Sequence, residues 1–157
     1  MKKHNPIDIR PIAEQDNSLE HVIICDLDGT IALNYQNRSY YGDKCAEGIK
    51  YDTPFSLVIS LLKNSGLPII FVTGRHGSID VINETFEWIK SQGLKIYKIY
   101  FRKEKDNRND AIVKKEIYER NIKNKYFVEF VLDDRNSVVK MWRSLGLLCL
   151  QVWDGDF

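Results

Sequence analysis

Five short apolar runs alternate along the chain with segments of helical periodicity. The runs cover residues 22–26, 68–73, 96–101, 127–132 and 147–152, and they are rich in Val, Ile, Phe and Tyr. Runs of this length and composition favour β-strands over helices. Strands that alternate with helices predict βαβ units and a mainly parallel sheet.

Four helices are predicted between or after these strands, over residues 53–66, about 78–93, 109 or 110 to about 121, and 135–146. In the first helix, Thr53 is a cap residue and Pro54 occupies the first helical position, where proline is favoured. Right-handed crossovers place helices on both faces of such a sheet. The predicted fold is therefore an α/β domain of the Rossmann-like, doubly wound type.

The remaining composition fits one domain in a reducing compartment. Residues 1–20 contain two prolines and no long periodic pattern, so we predict an N-terminal lead-in arm followed by a single domain over 21–157. The basic start lacks the apolar middle of a signal peptide, and no apolar run approaches the ~20 residues that span a bilayer. Three cysteines without metal-ligand spacing indicate reduced thiols. We therefore expect a cytoplasmic protein without a membrane partner.

Polar residues follow three of the apolar runs directly. Asp26 and Asp28 follow the first run, residues 73–75 (Thr-Gly-Arg) close the second, and Asp133 and Asp134 follow the fourth. Functional sites of parallel sheets lie at the carboxyl ends of the strands. Simple turns would not usually place carboxylates after two fully apolar runs, so this pattern predicts a functional site.

Four carboxylates at one edge of a sheet need a compensating cation. Hard oxygen ligands without histidine or cysteine favour Mg²⁺ over zinc. Asp26 and Asp28 lack the further spaced ligands of an EF-hand calcium loop, and the chain has no Walker phosphate loop. The sequence therefore favours a magnesium-dependent aspartate site and excludes an obvious ATP-using kinase.

The segment "VIICDLDGTIALN" is followed in order by a threonine, a lysine and an Asp–Asp pair, and this order resembles the haloacid dehalogenase superfamily of phosphohydrolases. Bacterial receiver domains also have a magnesium-dependent aspartate site, but their acidic pair comes first in the sequence, before the other site residues. The resemblance implies that Asp26 attacks phosphorus and forms an aspartyl phosphate, and that Asp28 is the general acid and base. It implies also that Thr73 holds a phosphoryl oxygen.

The resemblance implies that Asp26, Asp133, Asp134 and the backbone carbonyl of Asp28 would bind Mg²⁺. Lys114 is the candidate cation for the phosphoryl group. The alternative interpretation is that Lys114 is a solvated helix lysine paired with Asp110, and such a pair stabilises a helix by about 0.2–0.5 kcal/mol.

Only 44 residues separate Asp28 from Thr73, too few for a full cap domain, and an open site suits the end of a polymer. The segments "FRKEKDNRNDAIVKKEIY", "VLDDRNSVVKMWRSLGL" and "QVWDGDF" look like the 3′-phosphatase domains of T-even bacteriophage polynucleotide kinase/phosphatases. This resemblance covers residues 22–157. It implies a phosphomonoester hydrolase that removes 3′-phosphates from DNA or RNA during end repair.

The same resemblance implies substrate-binding residues, namely Arg38, Gly74, Arg75, Arg102 and Arg108. Either Arg102 or Arg108 would contact phosphate. Arg38 follows a loop that holds one residue more than the loop of the family. The family's kinase domain has no counterpart in this sequence. We therefore expect nucleic acid 3′ ends as substrate and a separately encoded kinase or ligase as a partner.

The charges are distributed unevenly along the chain. Residues 95–125 contain eleven Lys/Arg and five Asp/Glu, a net charge of +6, whereas the remainder carries −5. A single lysine there is usually only solvated, but the group could follow a phosphate backbone. Four aromatic residues could either stack on bases or pack against the domain, namely Tyr35, Tyr40, Tyr41 and Trp153. Trp88 and Trp142 fall on predicted helices and are expected in the core.

Two other functions stay open at this point. The chain could be an uncapped phosphatase for nucleotides or another small phosphomonoester. It could also be a non-catalytic scaffold that binds nucleic acid, although such scaffolds tend to lose the nucleophile or the metal ligands. The sequence does not decide between DNA and RNA, and it leaves open activity on 2′,3′-cyclic phosphates and the oligomeric state.

Overall fold

The structure, a computed structural model, describes residues 13–40 and 44–156. Its elements follow in chain order: β1 (His21–Cys25), β2 (Ala32–Leu33), α1 (Lys44–Ile49), β3 (Thr53–Pro54), α2 (Ser56–Ser65), β4 (Ile69–His76), α3 (Ile79–Ser91), β5 (Lys98–Arg102), α4 (Asp110–Asn121), β6 (Phe127–Arg135), α5 (Asn136–Ser144) and β7 (Cys149–Gly155). Five strands form one sheet in the order β5-β4-β1-β6-β7, and every neighbouring pair is parallel.

The sheet is covered on both faces, as the doubly wound prediction requires. Alternate residues of a strand point to opposite faces. In β1, Ile23 and Cys25 belong to the core formed with α1, α2 and α3, whereas Val22 and Ile24 belong to the core formed with α4 and α5. All four side chains are buried. The predicted α/β fold with a parallel sheet is confirmed, and it fixes the carboxyl ends of the strands at one edge.

The five predicted strands are all present, and three of them, β4, β6 and β7, continue at least three residues beyond their predicted ends. β4 continues through Thr73 to His76, and β6 continues through Asp133 and Asp134 to Arg135. The polar residues predicted to follow these strands are therefore partly inside them. Asp133 pairs with Gln151 of β7, but the register shifts between Val72 and His76 and between Asp133 and Arg135, so residues 73–75 and Asp134 lie at irregular points of their strands.

The predicted start of the first helix is wrong by two residues. Thr53 and Pro54 form β3, which pairs antiparallel with β2, and α2 begins only at Ser56. The backbone N–H of Phe55 donates to the carbonyl of Ile31 at 2.9 Å, which keeps this segment extended. Pairing with β2 therefore overrides the cap-and-proline signal.

The segment between β1 and α2 contains the β2–β3 hairpin and α1, a six-residue helix that the sequence did not predict. Cys45 and Ile49 of α1 are buried in the main core, and the helix packs against α3. In the described part of the chain this segment lies on the domain and adds no separate cap.

Part of the predicted arm lies outside the described residues, because residues 1–12 belong to it. Residues 13–20 contain no helix or strand and are attached to the sheet. The backbone N–H of Ala13 donates to Gly146, and the side chain of Gln15 bonds the backbone N–H and carbonyl of Val128. The division into an arm and one domain stays a prediction. None of the described helices has the length and apolar character needed to cross a bilayer.

Candidate active site

Eight of the eleven predicted site residues meet at the carboxyl edge of the sheet. They surround a cavity of about 120 Å³. Its wall consists of Asp26, Asp28, Tyr40, Gly74, Arg75, Arg102, Asp110, Lys114, Asp133, Asp134 and Arg135. The wall therefore draws on the ends of β1, β4, β5 and β6 and on the first turns of α4.

Gly29 shapes the turn that follows β1. Its φ of +83° is in the left-handed region, which favours glycine. A Cβ at this position would lie 2.2 Å from Oδ2 of Asp134. The hydroxyl of Thr30 donates to the carboxylate of Asp134 at 3.3 Å. The Asp-Gly-Thr sequence therefore lets the β1 turn approach the carboxylates of β6.

Lys114 is buried between carboxylates, with 1% of its surface exposed. Its Nζ donates to Oδ1 of Asp26 at 2.7 Å and to Oδ2 of Asp133 at 2.9 Å, and it lies 3.4 Å from Asp110. Burial alone would lower the pKa of Lys114, but the carboxylates of Asp110, Asp133 and Asp26 raise it well above its usual value. The alternative of a solvated helix lysine is wrong.

Three buried carboxylates, those of Asp26, Asp133 and Asp134, each have an oxygen within 4.8 Å of the others. Burial raises the pKa of Asp26 well above its usual value, and the neighbouring carboxylates raise it further against the effect of Lys114. Burial and Asp133 raise the pKa of Asp134 to about 6. One lysine therefore leaves negative charge uncompensated, and these oxygen ligands fit a hard divalent cation such as Mg²⁺.

Two arginines hold Asp28 on the opposite wall of the cavity. Arg75 donates through Nε to Oδ2 at 2.9 Å and through Nη2 to Oδ1 at 2.7 Å, and Nη2 of Arg38 also donates to Oδ1. Burial would raise the pKa of Asp28, but Arg75 and Arg38 lower it below its usual value. The two arginines therefore favour the ionised form of Asp28.

Asp52 is a site residue that the sequence reasoning missed. Its buried carboxylate accepts from Nε of Arg38 at 2.7 Å and from Nη2 of Arg38 and of Arg75 at 2.8 Å each. Asp52 therefore orients both arginines toward Asp28. A single acidic residue before β3 matches no motif, so no local signal could have identified it.

Gly74 and Arg102 form the wall next to β5. Nε of Arg102 donates to the carbonyl of Gly74 at 3.0 Å, and Nη2 donates to Asp110 at 2.9 Å. A Cβ on Gly74 would lie 2.6 Å from Oδ1 of Asp110. Thr73 is fully buried and does not line the cavity, and its hydroxyl accepts from the backbone N–H of Arg75 at 3.1 Å.

The structure separates the two alternative phosphate-binding arginines. Arg102 is buried and lines the cavity, whereas Arg108 is outside it and pairs with Asp106 at 2.8 Å and Glu116 at 2.7 Å. Contact of either arginine with substrate stays a prediction. The same holds for Arg38, which reaches Asp28, and for the backbone carbonyl of Asp28 as a metal ligand.

One of the proposed stacking aromatics lies at the cavity. Tyr40 is exposed in its wall, and the Arg38 guanidinium lies 5.1 Å from its ring centre. Tyr35 and Trp153 are exposed elsewhere, and Tyr41 lies outside the described residues. Trp88 and Trp142 are in the core, as predicted.

A comparison with known protein families finds a match over most of the chain. The family model of the polynucleotide kinase PNKP phosphatase domain matches residues 20–157. This match confirms the resemblance to polynucleotide kinase phosphatase domains that the sequence segments indicated.

Individual relatives give the same result. A chain in the structure of the Pnkp1/Rnl/Hen1 RNA repair complex is 37% identical to this chain, with a TM-score of 0.87 over 96% of it. A chain in a second structure of that complex is 38% identical, with a TM-score of 0.84 over 92% of this chain. An Autographa californica nuclear polyhedrosis virus protein, to which a bifunctional polynucleotide kinase/RNA ligase function is assigned, is 34% identical over 128 residues, or 80% of this chain. The present chain spans 48% and 50% of the two solved chains and 18% of the viral protein.

A more distant structure supports the fold alone. The haloacid dehalogenase-like hydrolase SP0104 from Streptococcus pneumoniae is 14% identical, with a TM-score of 0.54 over 85% of this chain and 84% of its own.

Proposed function

Because this chain belongs to the family of polynucleotide kinase PNKP phosphatase domains, we propose that it removes the 3′-phosphate from DNA or RNA ends with Mg²⁺ as its cofactor. The observation that carries the proposal is the position of Asp26. Its carboxylate is buried at the end of β1, lies 2.7 Å from the Lys114 ammonium, and faces a cavity that Arg75 and Arg102 also line. A nucleophile, its counter-charges and phosphate-binding groups thus share one cavity.

In the first step of the proposed reaction, an oxygen of Asp26 attacks phosphorus and the bond to the 3′-oxygen breaks. The leaving oxygen takes a proton from Asp28, and the phosphoryl group stays on Asp26 as an acyl phosphate. In the second step, water gives a proton to Asp28, and the oxygen of this water attacks phosphorus. Inorganic phosphate leaves and the Asp26 carboxylate is restored.

Asp28 needs a proton for the first step, although Arg75 and Arg38 lower its pKa. The arriving phosphate dianion competes for Arg38 and Arg75 and brings negative charge next to Asp28. Both effects raise the pKa of Asp28. The two arginines therefore couple phosphate binding to protonation of the general acid.

The residues present fit Mg²⁺, because the oxygens of Asp26, Asp133 and Asp134 converge and carry surplus negative charge. A bound Mg²⁺ would compensate these carboxylates and the charge of the phosphate. Lys114 adds a fixed positive charge beside Asp26 and Asp133, and Trp142 holds Asp133 by an indole N–H donated at 3.2 Å.

We propose that the chain acts in nucleic acid repair in the cytoplasm, where a separately encoded ligase would join the 3′-hydroxyl that it leaves and a separately encoded kinase would act on the 5′ end. Relatives that combine polynucleotide kinase with RNA ligase, or that belong to an RNA repair complex, support this context.

The nucleophile can be tested by substitution. We expect Asp26→Asn to release no phosphate from a 3′-phosphorylated oligonucleotide, because an amide oxygen cannot form the acyl phosphate. Asp154→Asn removes an exposed carboxylate and is the matched control, with near-normal release expected. Circular dichroism and thermal unfolding would verify that both variants fold. Full activity of folded Asp26→Asn would rule out the covalent mechanism.

A further inference from the structure

A second cleft of about 340 Å³ adjoins the catalytic cavity at the loop between β5 and α4. The two share three wall residues, which are Arg102, Asp110 and Arg135. Asn107, Arg108 and Asn109 complete the second cleft. Because they share a wall, neighbouring groups of one ligand can occupy both spaces.

The chemistry of this cleft suits a phosphate rather than a base. Every side chain in its wall is an arginine, an asparagine or an aspartate, so it offers no aromatic ring on which a base could stack. Three arginines and one aspartate give the wall a formal charge of +2. The carboxylate of Asp110 is already paired with Arg102 at 2.9 Å and with Lys114 at 3.4 Å, so it repels an anion little.

The loop that forms the cleft is held in shape. Nη1 of Arg102 donates to the carbonyls of Asp106 and Arg108 at 3.0 and 2.7 Å. The side chain of Asn109 accepts from the backbone N–H of Ala111 and caps α4. Asp106 and Glu116 each hold the half-exposed guanidinium of Arg108 by two hydrogen bonds. The Glu116 side chain is the more exposed of the two partners, at 36% against 12%, so a phosphate in the cleft would compete with Glu116 for Arg108.

We propose that this cleft binds the phosphodiester on the 5′ side of the 3′-terminal nucleotide, while the terminal 3′-phosphate lies beside Asp26. This inference rests on the proposed function and specifies its substrate class. A mononucleotide whose 5′ position is a free hydroxyl would leave the cleft empty. The cleft thus makes the chain prefer polynucleotide ends over mononucleotides.

The test compares three substrates: a nucleoside 3′-phosphate, a dinucleotide with a 3′-phosphate, and the same dinucleotide with a neutral methylphosphonate linkage. We expect kcat/KM to be about tenfold higher for the charged dinucleotide than for the other two, an order of magnitude expected of one charge-assisted contact. Equal values for all three, or an advantage kept by the methylphosphonate, would overturn the proposal.

A pair of variants tests whether the preference for the dinucleotide comes from this cleft. Arg108→Gln changes the cleft, and Arg120→Gln is its matched control. Both arginines lie near Glu116, at 2.7 and 4.0 Å, but Arg120 is on the last turn of α4, away from the cleft. We expect Arg108→Gln to remove most of the dinucleotide-to-mononucleotide ratio of kcat/KM and Arg120→Gln to preserve it. If both variants lost this ratio of kcat/KM equally, the preference would come from a diffuse basic surface, and the proposal that the cleft binds the phosphodiester would be overturned.

A binding measurement separates this inference from the proposed function. If no substrate releases phosphate, the proposed function fails, but calorimetry with a 3′-hydroxyl dinucleoside monophosphate and its methylphosphonate still tests the cleft. Tighter binding of the charged ligand, lost in Arg108→Gln, would support it. Equal binding of the two ligands would overturn it.

Discussion

At the scale of single residues, the site depends on how a few buried charges are paired. Asp26 and Asp28 are separated by one residue, yet their surroundings move their pKa values in opposite directions. Asp26 lies among carboxylates with Lys114, whereas Asp28 lies between two arginines. These opposite surroundings fit the roles proposed for them, a nucleophile beside a cation site and a carboxylate that takes up and returns a proton.

Asp52 gives a prediction at this scale. Asp52→Asn removes the carboxylate that orients Arg38 and Arg75, so we expect kcat for 3′-phosphate release to fall at least about tenfold. Breaking this buried ion pair should also lower the free energy of unfolding by on the order of 3 kcal/mol. Steady-state kinetics and urea unfolding would measure both effects. Asp80→Asn, an exposed change on α3, is the control, and normal kcat in Asp52→Asn would contradict the orienting role.

His21 gives a pH prediction. Its Nε2 lies 3.0 Å from the carbonyl of Asn17 and its Nδ1 lies 2.6 Å from Glu129, and these bonds raise its pKa above the usual 6.5. The protonated form therefore stabilises the fold fully below pH 6.5, and this contribution is lost as pH rises through the raised folded-state pKa.

We expect Tm of the native protein minus that of His21→Gln to decrease as pH rises from 5.5 to 8.5. Thermal unfolding of both proteins at four pH values would measure the difference. A difference that stays constant or increases with pH would contradict the assigned cause of the shift.

At the scale of elements, the sequence predicted most of the fold because buried parallel strands read as continuous apolar runs. The β2–β3 pair and α1 were missed because strands of two residues and a helix of six carry too little periodicity. The start of α2 was wrong because tertiary pairing of Thr53 outweighed its local signal. In the site, residues at strand ends were predictable, whereas Asp52 and Arg135 were not, since their partners are set by the folded structure. Asp110 was named only as a helix partner of Lys114, and its contact with Arg102 was not predicted.

The turn after β1 gives a prediction at the element scale. Gly29→Ala and Gly66→Ala both place a side chain at a left-handed φ, of +83° and +69°, with a cost of about 1–2 kcal/mol each. Only the Cβ at Gly29 would collide with Asp134, since nothing lies within 4 Å of one at Gly66.

We therefore expect both variants to lose stability but only Gly29→Ala to lose most of its phosphate release. Thermal unfolding and phosphate release, measured side by side, separate the two effects. Equal activity of the two variants would show that the close approach of the β1 turn to Asp134 is not needed.

At the scale of the whole molecule, the parallel sheet brings together residues that are far apart in the sequence. Asp26 precedes Lys114 by 88 residues, yet they are 2.7 Å apart. The carboxyl ends of β1 and β6 supply the candidate catalytic and metal-binding carboxylates, the carboxyl end of β4 supplies Arg75, and α4 supplies the lysine. With no separate cap in the described part of the chain, the cavity stays open toward a second basic cleft. This arrangement suits a polymer end.

The central claim is tested most directly by phosphate release from a 3′-phosphorylated oligonucleotide, with a 5′-phosphorylated one of the same sequence beside it. Both are assayed in Mg²⁺ and again in excess chelator. We expect release from the 3′ end alone and only with Mg²⁺, because Asp26, Asp133 and Asp134 need a cation to stay ionised together. Equal release from both ends, or release undiminished by chelator, would contradict a Mg²⁺-dependent polynucleotide 3′-phosphatase.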